Sequence, residues 1–264
     1  MNRLIRVEFR KQIGSKSFWI LLILHIAAIF LSIVNFQKFI QNVQFNVNDI
    51  SEVDLSIMPL LTYPDIWQNM TYVAGFFKII LALIIITSIT NEIANKTLRQ
   101  NIIDGMSREG FFFSKLLLAG FLALVSTVII FFAIYVIGTY NQDPENVTNI
   151  FEGSGFVAAY FLELLTYFIY ALFVALLVKR TGLALVLLIA IDFIFEPILS
   201  IFLPDVLDGY LPMAVIDNLI RFPFTRYVGM EVETTVSAIQ MIIVGLYAIF
   251  FSMAALTWLK RSDL

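Results

Sequence analysis

The chain has 264 residues, of which 60% are hydrophobic and only 14% charged, and its mean hydropathy is +0.89. A soluble domain carries about 45–50% apolar and about 25% charged residues, so this composition predicts a protein whose solvent is lipid. The absence of Cys and the single His25 exclude disulfides, thiolate chemistry and a histidine-based metal site. No basic patch is large enough to indicate a nucleic-acid partner, and we expect no bound metal.

The first 17 residues have the pattern of an amphipathic helix that lies at the membrane surface. An apolar face and a neighbouring basic stripe recur at helical spacing, namely Ile5, Phe9 and Ile13 against Arg3, Arg6 and Arg10. Arginines on such a helix suit anionic lipid head groups. The alternative is a basic flank that only orients the first span.

Six apolar segments are each long enough to cross about 30 Å of hydrocarbon as a helix. We number them spans 1 to 6, and they cover about residues 18–39, 72–90, 111–139, 155–178, 182–203 and 236–259. The predicted fold is therefore an all-α integral membrane protein with six transmembrane helices, in a single domain over residues 1–264. Span 3 is longer than a crossing needs, so it should tilt or project from the bilayer.

The distribution of Lys and Arg predicts the orientation of the spans. Thirteen of the 17 basic residues precede span 1, follow span 6, or lie between spans 2 and 3 or spans 4 and 5. The connections at 40–71 and 140–154 hold no basic residue. Because basic residues are retained on the cytoplasmic side, we expect a multi-pass protein of the cell membrane with both termini in the cytoplasm.

The connection between spans 2 and 3 is longer and more ordered in pattern than a loop requires. Residues 91–115 read NEIANKTLRQNIIDGMSREGFFFSK, which predicts a short helix stopped at Gly105 and a new helix capped by Ser107. A helix exposed on the cytoplasmic face is a docking surface. The alternative is a solvated loop stabilised by its own charges.

This connection, together with the layout of the whole chain, resembles the permease subunit of type-2 ATP-binding-cassette (ABC) exporters. The matching positions are Glu92, Thr97, Leu98, Arg99, Ile102, Ile103, Ser107, Arg108 and Lys115. The family often has Gly before the Thr, whereas this chain has Lys96, and that difference concerns the local turn.

The resemblance implies a transport subunit that works by alternating access. Region 91–110 and the entry helix, including Arg6 and Arg10, would contact a separate ATPase subunit, and a second copy or a homologue would complete the route. This chain has no G-x-x-x-x-G-K-[ST] phosphate loop. We therefore expect no cofactor and no catalytic residue here, with ATP and Mg²⁺ held by the partner. The substrate is not specified by the sequence.

The outer segment 204–235 is too apolar for a free loop and too broken to cross the membrane twice. Short re-entrant or interfacial helices between spans 5 and 6 would satisfy its backbone. Related permeases have re-entrant helices at this position, which form an outer gate. A lid that holds the spans together is an equal alternative.

Four ionisable residues fall within predicted spans 2, 4 and 5: Lys78, Glu163, Asp192 and Glu196. Charges in the membrane are costly unless they are paired or hydrated, so such residues are candidates for function. Lys78 has the depth to pair with Glu163 or with Glu196. The set either lines a translocation route or forms a structural ion pair, whereas His25 is expected to make a helix-to-helix hydrogen bond.

Two other classes of function remain open. A secondary transporter or channel would use the buried charges without ATP, although such proteins usually show matching broken helices in two halves. An intramembrane enzyme would need a nucleophile–base or metal constellation, and only carboxylates are available for one.

Overall fold

The chain folds as an all-α protein in a computed structural model that describes residues 2–42, 60–142, 149–204, 209–228 and 232–262. Side chains are described from residue 8 to residue 35 in the first of these ranges. No β-strand occurs in the described ranges. The α-helices, in chain order, are α1 Asn2–Ile13, α2 Lys16–Asn42, α3 Ile66–Gly75, α4 Lys78–Ala94, α5 Thr97–Ile103, α6 Arg108–Asn141, α7 Gly155–Val178, α8 Thr181–Ala190, α9 Glu196–Phe202, α10 Pro212–Asp217 and α11 Ala238–Arg261.

The long helices confirm the predicted class of membrane-spanning all-α protein. Five helical stretches in the described ranges are long and apolar enough to cross a bilayer, and the bent pair α3–α4 brings the number to six if it counts as one span. Helix α6 has 34 residues, so it is about 51 Å long and exceeds the hydrocarbon thickness, as predicted for span 3.

Helix α7 lies at the centre of the bundle. It packs against α11, α4, α6 and α3. Of an apolar 18-residue stretch of α7, 67% is buried within the protein, compared with 11% for the corresponding stretch of Thr181–Phe202, which contains α8 and α9. Tyr160, Tyr167 and Phe168 of α7 are fully enclosed by neighbouring helices. The outer helices therefore turn most of their surface to lipid, which needs no polar partner from them.

Helices α3 and α4 form a bent pair, and α3 begins at Ile66, before the position near residue 72 at which span 2 is predicted to start. Helix α3 meets α4 at an angle of 41° across Phe76 and Phe77. The sequence pattern missed α3 because its polar side chains are buried and paired within the fold. Gln68 donates to the carbonyl of Arg221 at 3.2 Å, and Asn69 donates to that of Leu60 at 2.9 Å.

His25 of α2 lies against this break. Its Nδ1 is 3.2 Å from the carbonyl oxygen of Phe77, and its Nε2 is 2.9 Å from Oγ of Ser126, which also contacts the Tyr160 hydroxyl at 2.9 Å. The side chain therefore makes the helix-to-helix hydrogen bonds predicted for it. The same carbonyl accepts the amide of Ile80 at 3.1 Å, so His25 adds a second contact at the bend between α3 and α4.

The fifth span also contains an irregular turn, where Ile191–Phe195 forms a π-helical turn between α8 and α9. The amide of Glu196 donates to the carbonyl of Ile191, five residues earlier. Pro197 follows at once, and it has no amide hydrogen and a ring that displaces the carbonyl four residues before it. Turns of this kind are frequent at functional sites.

Contacts gather the basic connections at one end of the bundle. Lys11 pairs with Glu92 at 2.7 Å, the hydroxyls of Thr90 and Thr181 are 2.6 Å apart, and Lys260 pairs with Glu109 at 2.5 Å. The other connections meet at the opposite end, where the Trp67 indole donates to the carbonyl of Ile150 at 2.8 Å. We call these the basic end and the opposite end.

Candidate functional site

The exposed surface of the basic end centres on α5. Two backbone hydrogen bonds end this helix, from Gly105 to the carbonyl of Ile102 at 3.1 Å and from Met106 to that of Asn101 at 2.9 Å. Gly105 has φ +98°, which favours glycine, so the predicted stop is confirmed. Leu98 is buried beneath the helix, whereas Ile103 is 69% exposed and Arg99 and Thr97 also face outward.

The turn before α5 is left-handed at Lys96, which has φ +57° and ψ +13°. An L-residue with a Cβ pays a steric cost in this region, whereas glycine does not. This is the position at which the resembling family often has Gly. The backbone at Lys96 therefore adopts the left-handed turn that glycine would adopt more easily, although the residue here is lysine.

Ser107 and Arg108 hold the start of α6 in place. The Ser107 hydroxyl accepts a hydrogen bond from the amide of Gly110 at 3.0 Å, which confirms the predicted cap. Nη1 of Arg108 lies 2.7, 2.6 and 2.9 Å from the carbonyl oxygens of Leu259, Lys260 and Ser262. Arg108 thus caps the last turn of α11, so it serves the fold whether or not it also contacts a partner.

Glu92 and Lys115 lie inside the protein rather than on its surface. They are 2% and 0% exposed, and Nζ of Lys115 is 2.7 Å from Oε1 of Glu92. The same Nζ lies 2.5 Å from Oε1 of Glu8 and 2.7 Å from the Ser88 hydroxyl. Neither residue can touch a docked protein directly, so any part in coupling would be through the helices that they join.

This basic-end cluster, formed by Glu8, Lys11, Gln12, Ser88, Glu92 and Lys115, fastens α1 to α4 and α6. The Gln12 amide donates to Ser88 at 2.6 Å and to Glu8 at 3.1 Å. Burial raises the pKa of Glu8, but the nearby Lys115 ammonium and its hydrogen bond outweigh burial, so the pKa of Glu8 falls below its ordinary value. The carboxylate is therefore held in its charged form.

The face that α1 turns to the bundle is polar. Glu8 and Gln12 are buried, whereas Arg10 and Ile13 are exposed. Phe9 of the predicted apolar face instead packs edge-on against Phe121 of α6, with ring centroids 5.0 Å apart. Placement of α1 at the membrane surface stays a prediction, and the side chain of Arg6 lies outside the described part of the chain.

At the opposite end of the spans, Lys78 joins three elements. Its Nζ pairs with Oε1 of Glu163 on α7 at 3.0 Å and also with Asp217 at the end of α10. Of the two pairs that the sequence allowed, Lys78–Glu163 is present and Lys78–Glu196 is absent from the described contacts. Glu163 approaches closely because Gly75 has no side chain, since a Cβ there would lie 3.0 Å from its Oε1.

Asp192 projects from the π-helical turn toward the same place. The Tyr167 hydroxyl donates to its Oδ2 at 2.7 Å, and Nζ of Lys78 lies 5.0 Å from the centroid of the Tyr167 ring. Among the described residues, Oδ1 of Asp192 has no hydrogen-bond partner although it is buried. A buried carboxylate oxygen without a partner is unusual, which makes this side chain a candidate for contact with something bound.

These groups line a cavity of about 120 Å³. Its walls come from α3, α4, α7, the π-helical turn and α10. Its lining includes Tyr72, Phe76, Lys78, Glu163, Tyr167, Asp192, Phe193 and Asp217. We call this the charged cavity. The predicted residues Lys78, Glu163 and Asp192 are thereby brought together, within membrane spans and around one space.

Glu196 is not part of the charged cavity. Its carboxylate accepts from the amide of Met213 at 2.9 and 3.0 Å and from that of Ala214 at 3.0 Å, so it caps the start of α10. Short helices therefore do follow span 5, as predicted, and Ile216 and Ile220 in this segment are buried. These contacts, with Lys78–Asp217, favour the interpretation of the segment as a lid that holds spans together.

The sequence did not single out several residues of these clusters, among them Glu8, Asp217 and Tyr167. Glu8 carried a signal, because it is the only acid among the basic residues of the first 17. Asp217 carried a weaker one, as an acid in an apolar outer segment. Tyr167 had none, because one more aromatic residue in a span is ordinary.

No protein-family model matches the chain, and no curated protein is similar to it. The described residues also contain no group of three or more His, Asp or Glu side chains that could hold a metal ion. The features that bear on function are therefore the geometry of the basic end, the geometry of the charged cavity and the resemblance in residues 91–115.

Proposed function

We propose that the chain is the membrane-spanning permease subunit of an ABC transporter of the export type. A separate ATPase subunit would dock on the basic end, and two copies of this chain, or one with a homologue, would enclose the route. In this proposal the basic end is cytoplasmic, both termini lie there, and ATP and Mg²⁺ belong to the partner, so the chain itself is not an enzyme.

One observation carries the proposal: α5 is a short helix, closed at its C-terminal end by two backbone hydrogen bonds, that presents Arg99 and Ile103 outward at the basic end. An exposed aliphatic side chain beside a charged one, on a rigid element, is typical of a protein contact. The helix α1 and the end of α11 border the same surface through Lys11–Glu92 and Arg108. A partner seated on α5 would therefore have three elements within reach.

The basic-end cluster gives this docking surface a mechanical link to the spans. A force on α5 passes to α4 through the short Lys96 turn, and from α4 to α1 and α6 through Glu92 and Lys115. Because the cluster is buried and hydrogen-bonded, these helices move together rather than separately. Alternating access requires that kind of rigid-body motion.

The docking surface can be tested with tagged full-length chain purified gently from its native membranes. We expect an ATP-hydrolysing polypeptide to co-purify with the natural chain, and Arg99→Glu to reduce the retained ATPase activity roughly tenfold by placing repulsive charge in the interface. The matched control is Arg221→Glu, an exposed arginine at the opposite end. Equal ATPase retention in both variants, or none with the natural chain, would contradict the proposal.

The orientation can be tested separately because the chain has no cysteine. In intact cells, a membrane-impermeant maleimide should label a cysteine placed at exposed Tyr210 but not one placed at exposed Gln100. Labelling of Gln100→Cys from outside would put the docking surface beyond reach of an intracellular ATPase.

The charged cavity supports a second candidate, an ATP-independent secondary transporter or channel. Intramembrane Lys–Glu and Asp groups of this kind occur on ion and substrate pathways. The two candidates separate in vesicles that contain only this purified chain, because only the second predicts substrate movement without an ATPase.

A further inference from the structure

The charged cavity has an imbalance of charge. Three carboxylates, of Glu163, Asp192 and Asp217, face a single ammonium, that of Lys78, so the formal charge of the lining is −2. Lys78 is already engaged by Glu163 and Asp217. Asp217 is 57% exposed and is therefore hydrated, which leaves Glu163 and Asp192 to share the one ammonium of Lys78. Buried charges are normally paired, so the inner part of the lining lacks one positive charge.

Asp192 marks where that deficiency lies. Its Oδ2 accepts the Tyr167 hydroxyl, while its buried Oδ1 has no partner among the described residues. The carboxylate projects from the π-helical turn Ile191–Phe195, and the Tyr167 hydroxyl holds it by one oxygen only.

The walls of the cavity are suited to a cation as well. Tyr72, Phe76, Tyr167 and Phe193 line it, and aromatic faces attract ammonium groups within about 6 Å of the ring centroid. Lys78 already makes this contact with Tyr167, at 5.0 Å. A second ammonium would meet the same chemistry on the side of the cavity nearest Asp192.

The mouth of the cavity has a polar rim and an apolar rim. Asp217 is exposed on the polar side, with 57% of its side chain accessible. Phe76 and Phe193 are 60% and 67% exposed, and in a membrane-spanning protein such side chains face lipid. The space of about 120 Å³ has room for roughly four waters at about 30 Å³ each, hence for a small head group.

We propose that the charged cavity binds the ammonium group of an amphipathic cation, whose apolar chain extends into lipid between Phe76 and Phe193. The ammonium would lie against Oδ1 of Asp192 and the ring of Tyr167, and it would bring the lining closer to neutrality. The site is formed by this chain alone, so its test does not depend on whether an ATPase partner exists.

The test is photolabelling of the full-length chain in phosphatidylglycerol nanodiscs, whose lipid has no ammonium group. The probe is octylamine that carries a diazirine in its alkyl chain, and the matched probes are the alcohol and the carboxylic acid of the same chain. We expect the amine to label the cavity rim at Phe76 or Phe193, as mapped by mass spectrometry, and the other two probes to label it far less.

Two variants locate the contact. Asp192→Asn removes the unpartnered carboxylate oxygen without changing the size of the side chain, and it should reduce labelling by the amine roughly tenfold. The matched control Glu233→Gln removes a carboxylate that is half exposed and pairs with Arg221, and labelling should not change. Circular dichroism and gel filtration of each variant confirm that it is folded.

The other outcomes overturn the proposal. Equal labelling by the amine and the alcohol would show an apolar cavity without charge selectivity, and preferential labelling by the acid would show that Lys78 selects anions. Labelling that is absent from the cavity, or unchanged in Asp192→Asn, would also refute it.

An ammonium on an apolar chain has two sources, a free amphiphilic amine or a membrane lipid with an amine head group. Adding phosphatidylethanolamine to the nanodiscs separates them. Loss of amine labelling would identify the lipid as a ligand, and retained labelling would identify the free amine. Both results support an ammonium site.

Discussion

The two buried charge clusters of this protein differ in balance. In the basic-end cluster two lysines, Lys11 and Lys115, meet two carboxylates, those of Glu8 and Glu92. In the charged cavity Lys78 meets Glu163 and Asp217, with Asp192 beside them. The first cluster is closed around Lys115, which is 0% exposed, whereas the second surrounds a space.

The difference separates structural charges from charges available to a ligand. A balanced and fully hydrogen-bonded cluster loses stability when any member is removed, because the remaining partner is left buried without its counter-charge. In a cluster with excess negative charge, repulsion between the carboxylates lowers the stability of the fold, so removal of one acid can raise that stability. Stability measurements on matched variants can therefore tell which kind of cluster each one is.

The largest expected effect is that of Lys115→Met. The change keeps an apolar side chain of similar length but leaves Glu8 and Glu92 buried with Lys11 as the only nearby cation. Removal of one partner from a buried pair costs about 3–5 kcal/mol. We expect the melting temperature of the detergent-purified chain to fall by roughly 10 °C.

The control for this prediction is Lys260→Met, which also removes a paired lysine at the basic end. Lys260 and Glu109 are both about half exposed, at 48% and 55% of their side chains, so the pair is worth little. A melting temperature that falls equally in both variants would show that burial of the cluster contributes nothing special.

A second comparison removes one carboxylate charge from each cluster. Glu92→Gln should destabilise the chain by about 2 kcal/mol, because Lys11 and Lys115 lose a charged hydrogen-bond partner. Asp192→Asn should leave stability unchanged or raise it by up to about 1 kcal/mol, because it relieves repulsion with Glu163 and Asp217. The measurement is thermal unfolding of both variants in the same detergent.

The signs of these two changes matter more than their sizes. If Asp192→Asn were as destabilising as Glu92→Gln, Asp192 would be a structural residue. The charge imbalance of the cavity would then not indicate a ligand site. Glu152→Gln, which alters an exposed acid in the acidic connection 140–154, serves as a reference for a change outside both clusters.

The spans were predictable because each is a long apolar run, and the ends of α5 and α6 were predictable because Gly105 and Ser107 have strong local preferences. The pattern could not show that α3 begins at Ile66. Its residues Gln68 and Asn69 are polar, and only distant backbone carbonyls satisfy them. Long-range pairing of this kind leaves no periodic signal.

The clusters were only partly predictable for the same reason. The depth of Lys78 in its span made the pair with Glu163 one of two expected choices, and the other choice, Glu196, proved to cap α10. The resemblance implied that Glu92 and Lys115 take part in coupling to the ATPase partner, but both side chains are buried. Their burial depends on α1 packing across α4 and α6, which no local sequence pattern specifies.

The smallest expected effect concerns pH and Glu8. The pKa of Glu8 is lowered from its ordinary value of 4.5, since Lys115 outweighs the effect of burial, so the folded chain holds the charged form more tightly than the unfolded chain does. The resulting stability is present above about pH 4.5 and is lost as the pH falls through the lower, folded value. Glu8→Gln has no carboxylate to protonate there, so the melting temperatures of the natural chain and this variant should converge as the pH falls from about 6 toward about 3, roughly 1.5 units on either side of the ordinary pKa of 4.5. If the difference in melting temperature stayed constant across this range, Glu8 would stabilise the fold by packing and hydrogen bonds rather than by its charge. The basic-end cluster would then not be held together by balanced charges.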